Sequence, residues 1–153
     1  MCGRITQKGG ELPGLVTVTL VEEQFPPRWN GAPSQQFWVI RRHPKTGDYH
    51  RDRLIWGLIP HWCNDPDGGR KPINARAESI TSLPSFREAY AKRRCPVPIE
   101  NFFERRAIKG TRAKQPHAIA MKDGSPFALA GVWESWQRPE TDEIVRTFAL
   151  TNR

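Results

Sequence analysis

The stretch HAIAMKDGSPFALAGVWESW, residues 117–136, decides the fold class. Two apolar runs, His117 to Met121 and Phe127 to Trp136, flank the polar turn Lys122-Asp123-Gly124-Ser125, and that punctuation reads as strand, turn, strand. The same pattern recurs on both sides. Downstream, Ile144 to Leu150 reads as a last strand. Upstream, Val97 to Glu104 reads as one strand, followed by the turn Lys109-Gly110-Thr111. Gln36 to Arg41 and Arg53 to Ile59 read as a hairpin across the segment from His43 to Asp48. Leu15 to Val21 alternates in a way that favours strand over helix, and Cys2 to Thr6 is a short strand that ties the N-terminus into a sheet. Trp29-Asn30-Gly31-Ala32-Pro33 reads as an irregular loop by its Asn, Gly and Pro content. Pro60 to Pro72 is a longer loop that carries Trp62 and Cys63. One helix is clear, Ser85 to Arg94, with Ser85 and Glu88 as a capping box, Phe86 and Tyr90 on one face and basic residues at its end. The expected fold is α+β: mainly antiparallel sheet or irregular β-barrel with a few short helices.

A chain of 153 residues fits a single domain over 1–153 with a real core. Lys and Arg number 24 against 16 Asp and Glu, a formal charge of +8, so the surface should draw polyanions, nucleic acid first among them. No long basic amphipathic helix, signal-like run or span-length apolar stretch is present, so no membrane partner is expected. Three widely spaced cysteines, Cys2, Cys63 and Cys95, suit neither a disulfide framework nor a zinc site. Cys63 and Cys95 are read as structural or incidental, the compartment as a reducing cytoplasm, and no cofactor or metal is expected.

Cys2 has a special chemical option. The residue is small enough for Met1 to be trimmed, and trimming leaves an α-amine and a thiol on adjacent carbons. An aldehyde can be taken by the amine as a Schiff base and closed by the sulfur into a five-membered thiazolidine. Asn74 and Arg76, two apart, point to one face of an extended segment, as a hydrogen-bonding amide beside a phosphate clamp or as an ordinary polar face. Glu104 follows Phe102 and Phe103, either as a partly desolvated acid-base or as a strand-end glutamate paired with Arg105 or Arg106. Trp62 can stack on a nucleobase or cover the core.

Met1-Cys2-Gly3-Arg4, Trp29 to Pro33, Leu54 to Pro60, Ile73-Asn74-Ala75-Arg76-Ala77-Glu78, Arg94 to Pro98, Phe102-Phe103-Glu104 and Ala130 to Glu134 occur here in the order of one family. The chain resembles the SRAP family, named for SOS-response-associated peptidases, from Cys2 to about Asn152. The resemblance implies a β-rich fold and a DNA-damage protein that binds single-stranded or junctional DNA and traps abasic sites as a thiazolidine on Cys2. It implies Asn74 as the residue that positions the amino end and Glu104 as the acid-base. Arg4 and Arg76 match phosphate contacts, and Pro33 and Trp62 match parts of the DNA surface. A monomer is expected, nucleoid-associated if bacterial. The family's His-x-Arg-Met-Pro segment has no counterpart, so the chain is expected to lack the family's C-terminal portion, and histidine-assisted steps with it. Asn101 and Arg105 stand where glycine and tryptophan are usual. Two other readings share the terminus or the charge: an N-terminal-nucleophile amidohydrolase or self-processing peptidase, and a non-covalent nucleic-acid-binding module.

Overall fold

The computed structural model of the chain describes residues 2–19, 25–66 and 71–153. Eleven strands and one helix are found among them: β1 (Ile5–Gln7), β2 (Val18–Thr19), β3 (Arg28–Gly31), β4 (Gln36–Arg42), β5 (Tyr49–Trp56), β6 (Asn74–Arg76), α1 (Arg87–Lys92), β7 (Arg94–Ile99), β8 (Asn101–Ala107), β9 (Lys114–Ala120), β10 (Phe127–Gln137) and β11 (Ile144–Asn152). They form a four-stranded sheet in the order β3-β1-β8-β9 and a seven-stranded sheet along β2-β5-β11-β10-β7, with β4 on β5 and β6 on β11. Because β4 also packs on β7, the larger sheet curls into a near-barrel. Among the described residues no helix is long and apolar enough to cross a membrane.

Expectation and structure agree on a mostly β chain, with corrections of detail. The few short helices reduce to one helix of six residues among those described, and the sheet is mixed: β11 runs parallel to both β5 and β6, and β2 runs parallel to β5. The capping box does not form. Phe86 occupies the N-cap with no side-chain cap, the N–H groups of Phe86 and Arg87 go to the Leu83 carbonyl, and Glu88 turns to Lys92, Arg93 and His61. The single strand expected over Val97 to Glu104 is two, β7 and β8, lying in different sheets. The chain changes sheet at Glu100, whose carboxylate accepts the Lys8 N–H at 2.8 Å.

Trp29 to Pro33 is likewise no loop at its start. Arg28–Gly31 pairs with β1, and Thr6 Oγ1 donates to the Trp29 carbonyl. Gly31 is there for close approach: a Cβ at this position would stand 2.4 Å from the Phe37 ring. β5 starts earlier than Arg53 and stops at Trp56, while Val18–Thr19 keeps only part of the strand expected over Leu15 to Val21, whose last two residues lie outside the described ones. So do four residues of the Pro60 to Pro72 loop.

Side chains alternate across each strand, so the larger sheet has two cores. On one face Cys2, Ile5, Phe37, Trp56, Cys95, Val97, Phe148 and Leu150 pack together; on the other Leu58, Ala75, Ile80, Phe86, Val132 and Ala149 lie under α1, with Tyr90 against them. Trp136 is buried, whereas Trp133 is half-buried under the Arg41 guanidinium, 4.4 Å from the ring centre.

Candidate functional site at the N-terminal strand

β1 is three residues long, yet it holds the N-terminal segment firmly. It lies between β3 and β8, with Ile5 opposite Gly31 on one side and Phe102 on the other. Gln7 is buried and completely bonded: its amide donates to the carbonyls of Trp38 and Pro98 and accepts the Trp38 N–H. A buried amide satisfied at both ends fixes the register of the strand. The residues before it are thereby carried to a defined place, where the Phe103 N–H donates to the Arg4 carbonyl.

Cys2 is 7% exposed and belongs to the first core. Its thiol points at the Arg4 carbonyl, 3.7 Å away. Burial pushes the thiol up to about 11. Contact with the Arg4 backbone opposes that rise, and the Glu104 carboxylate adds to it. The Glu104 charge is therefore felt at the sulfur. Asn74 Nδ2 donates to the Cys2 carbonyl at 2.8 Å, while Asn74 Oδ1 is buried with no hydrogen-bond partner among the described residues. An orphan acceptor beside a backbone terminus is a place for an N–H donor.

Arg4 lines a cleft of about 830 Å³ with Asn30, Phe103, Glu104, Arg105 and Lys114. Arg4 also donates to Asn30 Oδ1 at 3.2 Å. The structure thus gathers Cys2 and Arg4 from the segment before β1, Asn74 from β6 and Glu104 from β8. Arg76 is exposed on the face of β6 that carries Asn74, two positions on. Pro33 and Trp62 do not line the cleft. Pro33 is half-buried before Ser34, whose N–H bonds the Trp56 carbonyl. Trp62 is 54% exposed in a loop fastened beside α1, where Trp136 Nε1 donates to the Cys63 carbonyl and His61 stands between Glu88 and Glu134.

Sequence reasoning missed Asn30, Lys114 and His117. Asn30 sat inside a supposed loop. Lys114 reaches the cleft only because β9 pairs with β8, and the same pairing sets His117 directly opposite Glu104. Such neighbours follow from strand register, which no local signal in this segment announces.

A β-rich domain with an ordered cysteine next to the terminus, an asparagine on its carbonyl and a glutamate at a basic cleft defines a class, and the comparisons give it a name. The chain belongs to the SRAP family: the family model described as SOS response associated peptidase matches residues 1–153. Among curated relatives, it is 34% identical over 159 residues to "Abasic site processing protein YoqW" of Bacillus subtilis (strain 168), covering 100% of this chain and 69% of that protein. It is 23% identical over 155 residues to "Abasic site processing protein HMCES" of Xenopus tropicalis, covering 84% of this chain and 46% of that protein. Among solved structures, a protein from Bacteroides thetaiotaomicron superposes with a TM-score of 0.78 at 25% identity, over 98% of this chain and 67% of the other.

Proposed function

We propose that this protein handles abasic sites in DNA, as its relatives' names describe, by capturing the lesion's aldehyde on Cys2 within single-stranded DNA. Removal of Met1 exposes the α-amine. The amine nitrogen attacks C1′ of the ring-opened sugar to give a carbinolamine, which loses one water to become an imine. The sulfur then bonds to the imine carbon and the thiol proton passes to the nitrogen, closing a thiazolidine. One water leaves in all, and no oxidant or reductant is needed.

The observation that carries this reading is the pairing of Asn74 with the Cys2 carbonyl, which leaves Oδ1 as an acceptor for the liberated amine. In this reading Glu104 takes the proton released by the attacking amine, returns it to the leaving hydroxyl of the carbinolamine and relays the thiol proton; its position at the cleft and its charge at the thiol support that role. Burial favours the protonated thiol, in keeping with attack by the amine first and the sulfur second. Arg4 and Arg105 offer phosphate contacts along the same cleft, with Arg76 beyond Asn74. Pro33 and Trp62 are proposed to touch DNA outside the cleft.

The test is incubation with a single-stranded oligonucleotide carrying one abasic site, followed by heating in detergent. A shifted band that disappears in Cys2→Ala and survives in Cys63→Ala supports the reading. A full-strength band from Cys2→Ala overturns it. A domain acting as an amidohydrolase would instead turn over small amides repeatedly, where a trap is consumed once per lesion.

A further inference from the structure

A second surface lies apart from the cleft of Arg4 and Glu104. A cleft of about 800 Å³ runs between α1 and the face of β7 and β10 that α1 covers, and a cleft of about 410 Å³ continues it along the turn after β4. The two share Arg42 and Lys92 as walls, so they form one groove. Arg42, Lys45, Lys92 and Arg94 are exposed along it, and Tyr49 and Tyr90 stand among them. No Asp or Glu is among its described lining residues. The groove shares no lining residue with the cleft of Arg4 and Glu104, so it is not a branch of it.

We infer that this groove holds a second stretch of single-stranded nucleic acid, the strand that continues past the residue seated at Cys2. The choice of occupant rests on the proposed function and on charge complementarity. Four cations without a lining carboxylate track a phosphate backbone, and exposed Tyr49, with the open edge of half-buried Tyr90, gives bases a stacking face. Arg94 sits 5.8 Å from the Tyr90 ring centre, a pairing that keeps the guanidinium at the groove wall. Lys92 also pairs with Glu88 at 3.5 Å and contributes less. A strand that covered only the cleft of Arg4 and Glu104 would gain nothing from a separate groove; one that continues around the protein would use both.

The experiment uses undamaged oligonucleotides, so that it does not depend on covalent capture. Affinity is measured by fluorescence anisotropy across a salt series for a long strand of about 30 nucleotides and a short one of about 8, lengths that bracket the usual footprint of one small binding domain. Arg42→Gln with Arg94→Gln is compared with Lys122→Gln with Arg146→Gln, which removes the same charge from exposed sites elsewhere. For the long strand, the groove pair should lower the slope of log affinity against log salt by about 1.4, roughly 0.7 for each lost contact. For the short strand it should not. Tyr49→Ala should weaken the long strand about fivefold or more without changing the slope, as loss of stacking does. Equal losses from both pairs, or equal sensitivity of both strands, would overturn the groove while leaving capture at Cys2 untouched. Unchanged melting temperatures in the variants exclude misfolding as the cause.

Discussion

Cys2 and Cys95 lie in the same core and are both shielded from water, yet their surroundings differ in every other respect. Cys95 sits on β7, the last strand in the order of the larger sheet, opposite Gly131 and with Arg41 as its charged neighbour, and burial drives its thiol far above the ordinary range. Cys2 precedes the short strand β1 of the smaller sheet, next to Asn74 and within reach of the Glu104 charge. If thiol acidity were the criterion, neither residue would be reactive. What separates them is a backbone amine that can be freed beside one sulfur and not beside the other, and an open cleft at that end of the sheet.

The sharpest way to break the contrast is to keep the amine and remove the sulfur. Cys2→Ser should abolish the heat-stable adduct, a loss of at least about a hundredfold, because the hydroxyl is a far weaker nucleophile. The imine should still be caught by adding borohydride to the reaction. If Cys2→Ser shows neither adduct, the amine is not the first nucleophile. Next in size, Glu104→Gln keeps the shape of the cleft and removes the proposed proton carrier. Crosslinking should slow by roughly 10²-fold or more, the usual contribution of an acid-base group, with strand affinity nearly unchanged. Asn74→Ala deletes one hydrogen bond to the terminus and should slow the reaction about tenfold, the equivalent of about 1.4 kcal/mol. Single-turnover gels read both rates.

These substitutions also mark where sequence reasoning stopped. Asn74 and Cys2 are 72 positions apart, and they meet because β6 runs parallel to β11, with Asn74 opposite Leu150. Parallel pairing requires a long crossover and leaves no turn in the sequence to announce it. Some antiparallel units were legible for the opposite reason: Gly47 and Gly110 lie in the turns that join β4 to β5 and β8 to β9, whereas the turn at Gly124 joins β9 to β10, which lie in different sheets. Asn30-Gly31 misled because glycine has two uses. Here it makes room for Phe37 instead of bending the chain, and so a strand of the site was read as a loop. Serine at 85 misled similarly, since a backbone carbonyl from the preceding turn took the N–H groups its side chain was expected to cap. The chemistry proposed for Cys2 could be argued from the sequence because it needs only one residue's own nitrogen and sulfur. The neighbours of Glu104 were not, because they depend on register.

Gly31→Ala tests that lesson on stability. The new methyl group would meet the Phe37 ring at 2.4 Å and the Ile5 carbonyl at 3.1 Å, with the ring completely buried. The ring must shift or β3 must part from β1. A cost of about 1–3 kcal/mol is expected in urea unfolding, with slower crosslinking because β1 positions Cys2. A neutral result would mean that β3 is not held against the core.

The smallest effect returns to the two thiols through pH. An unfolded cysteine loses its proton near the ordinary value of 9.0, whereas folded Cys2 holds its own to about 11 and folded Cys95 holds its own higher still. Between those values the native state binds more protons than the unfolded one, so stability must fall as pH rises above 9. Each thiol can contribute at most about 1.4 kcal/mol per pH unit in that interval, and its contribution is fully present below it. Lysine and tyrosine titrate in the same range, but they are common to every variant and cancel in differences. Melting curves from pH 8 to 10.5 should therefore descend less steeply for Cys95→Ala than for the parent, and less steeply for Cys2→Ser as well. Alkylation ranks the same groups by another route, with half-exposed Cys63 modified first, Cys2 later and Cys95 last. If Cys2 were alkylated at pH 7.5 as fast as Cys63, its sulfur would be ionised early in the free protein, and the order of attack argued for the ring closure would reverse.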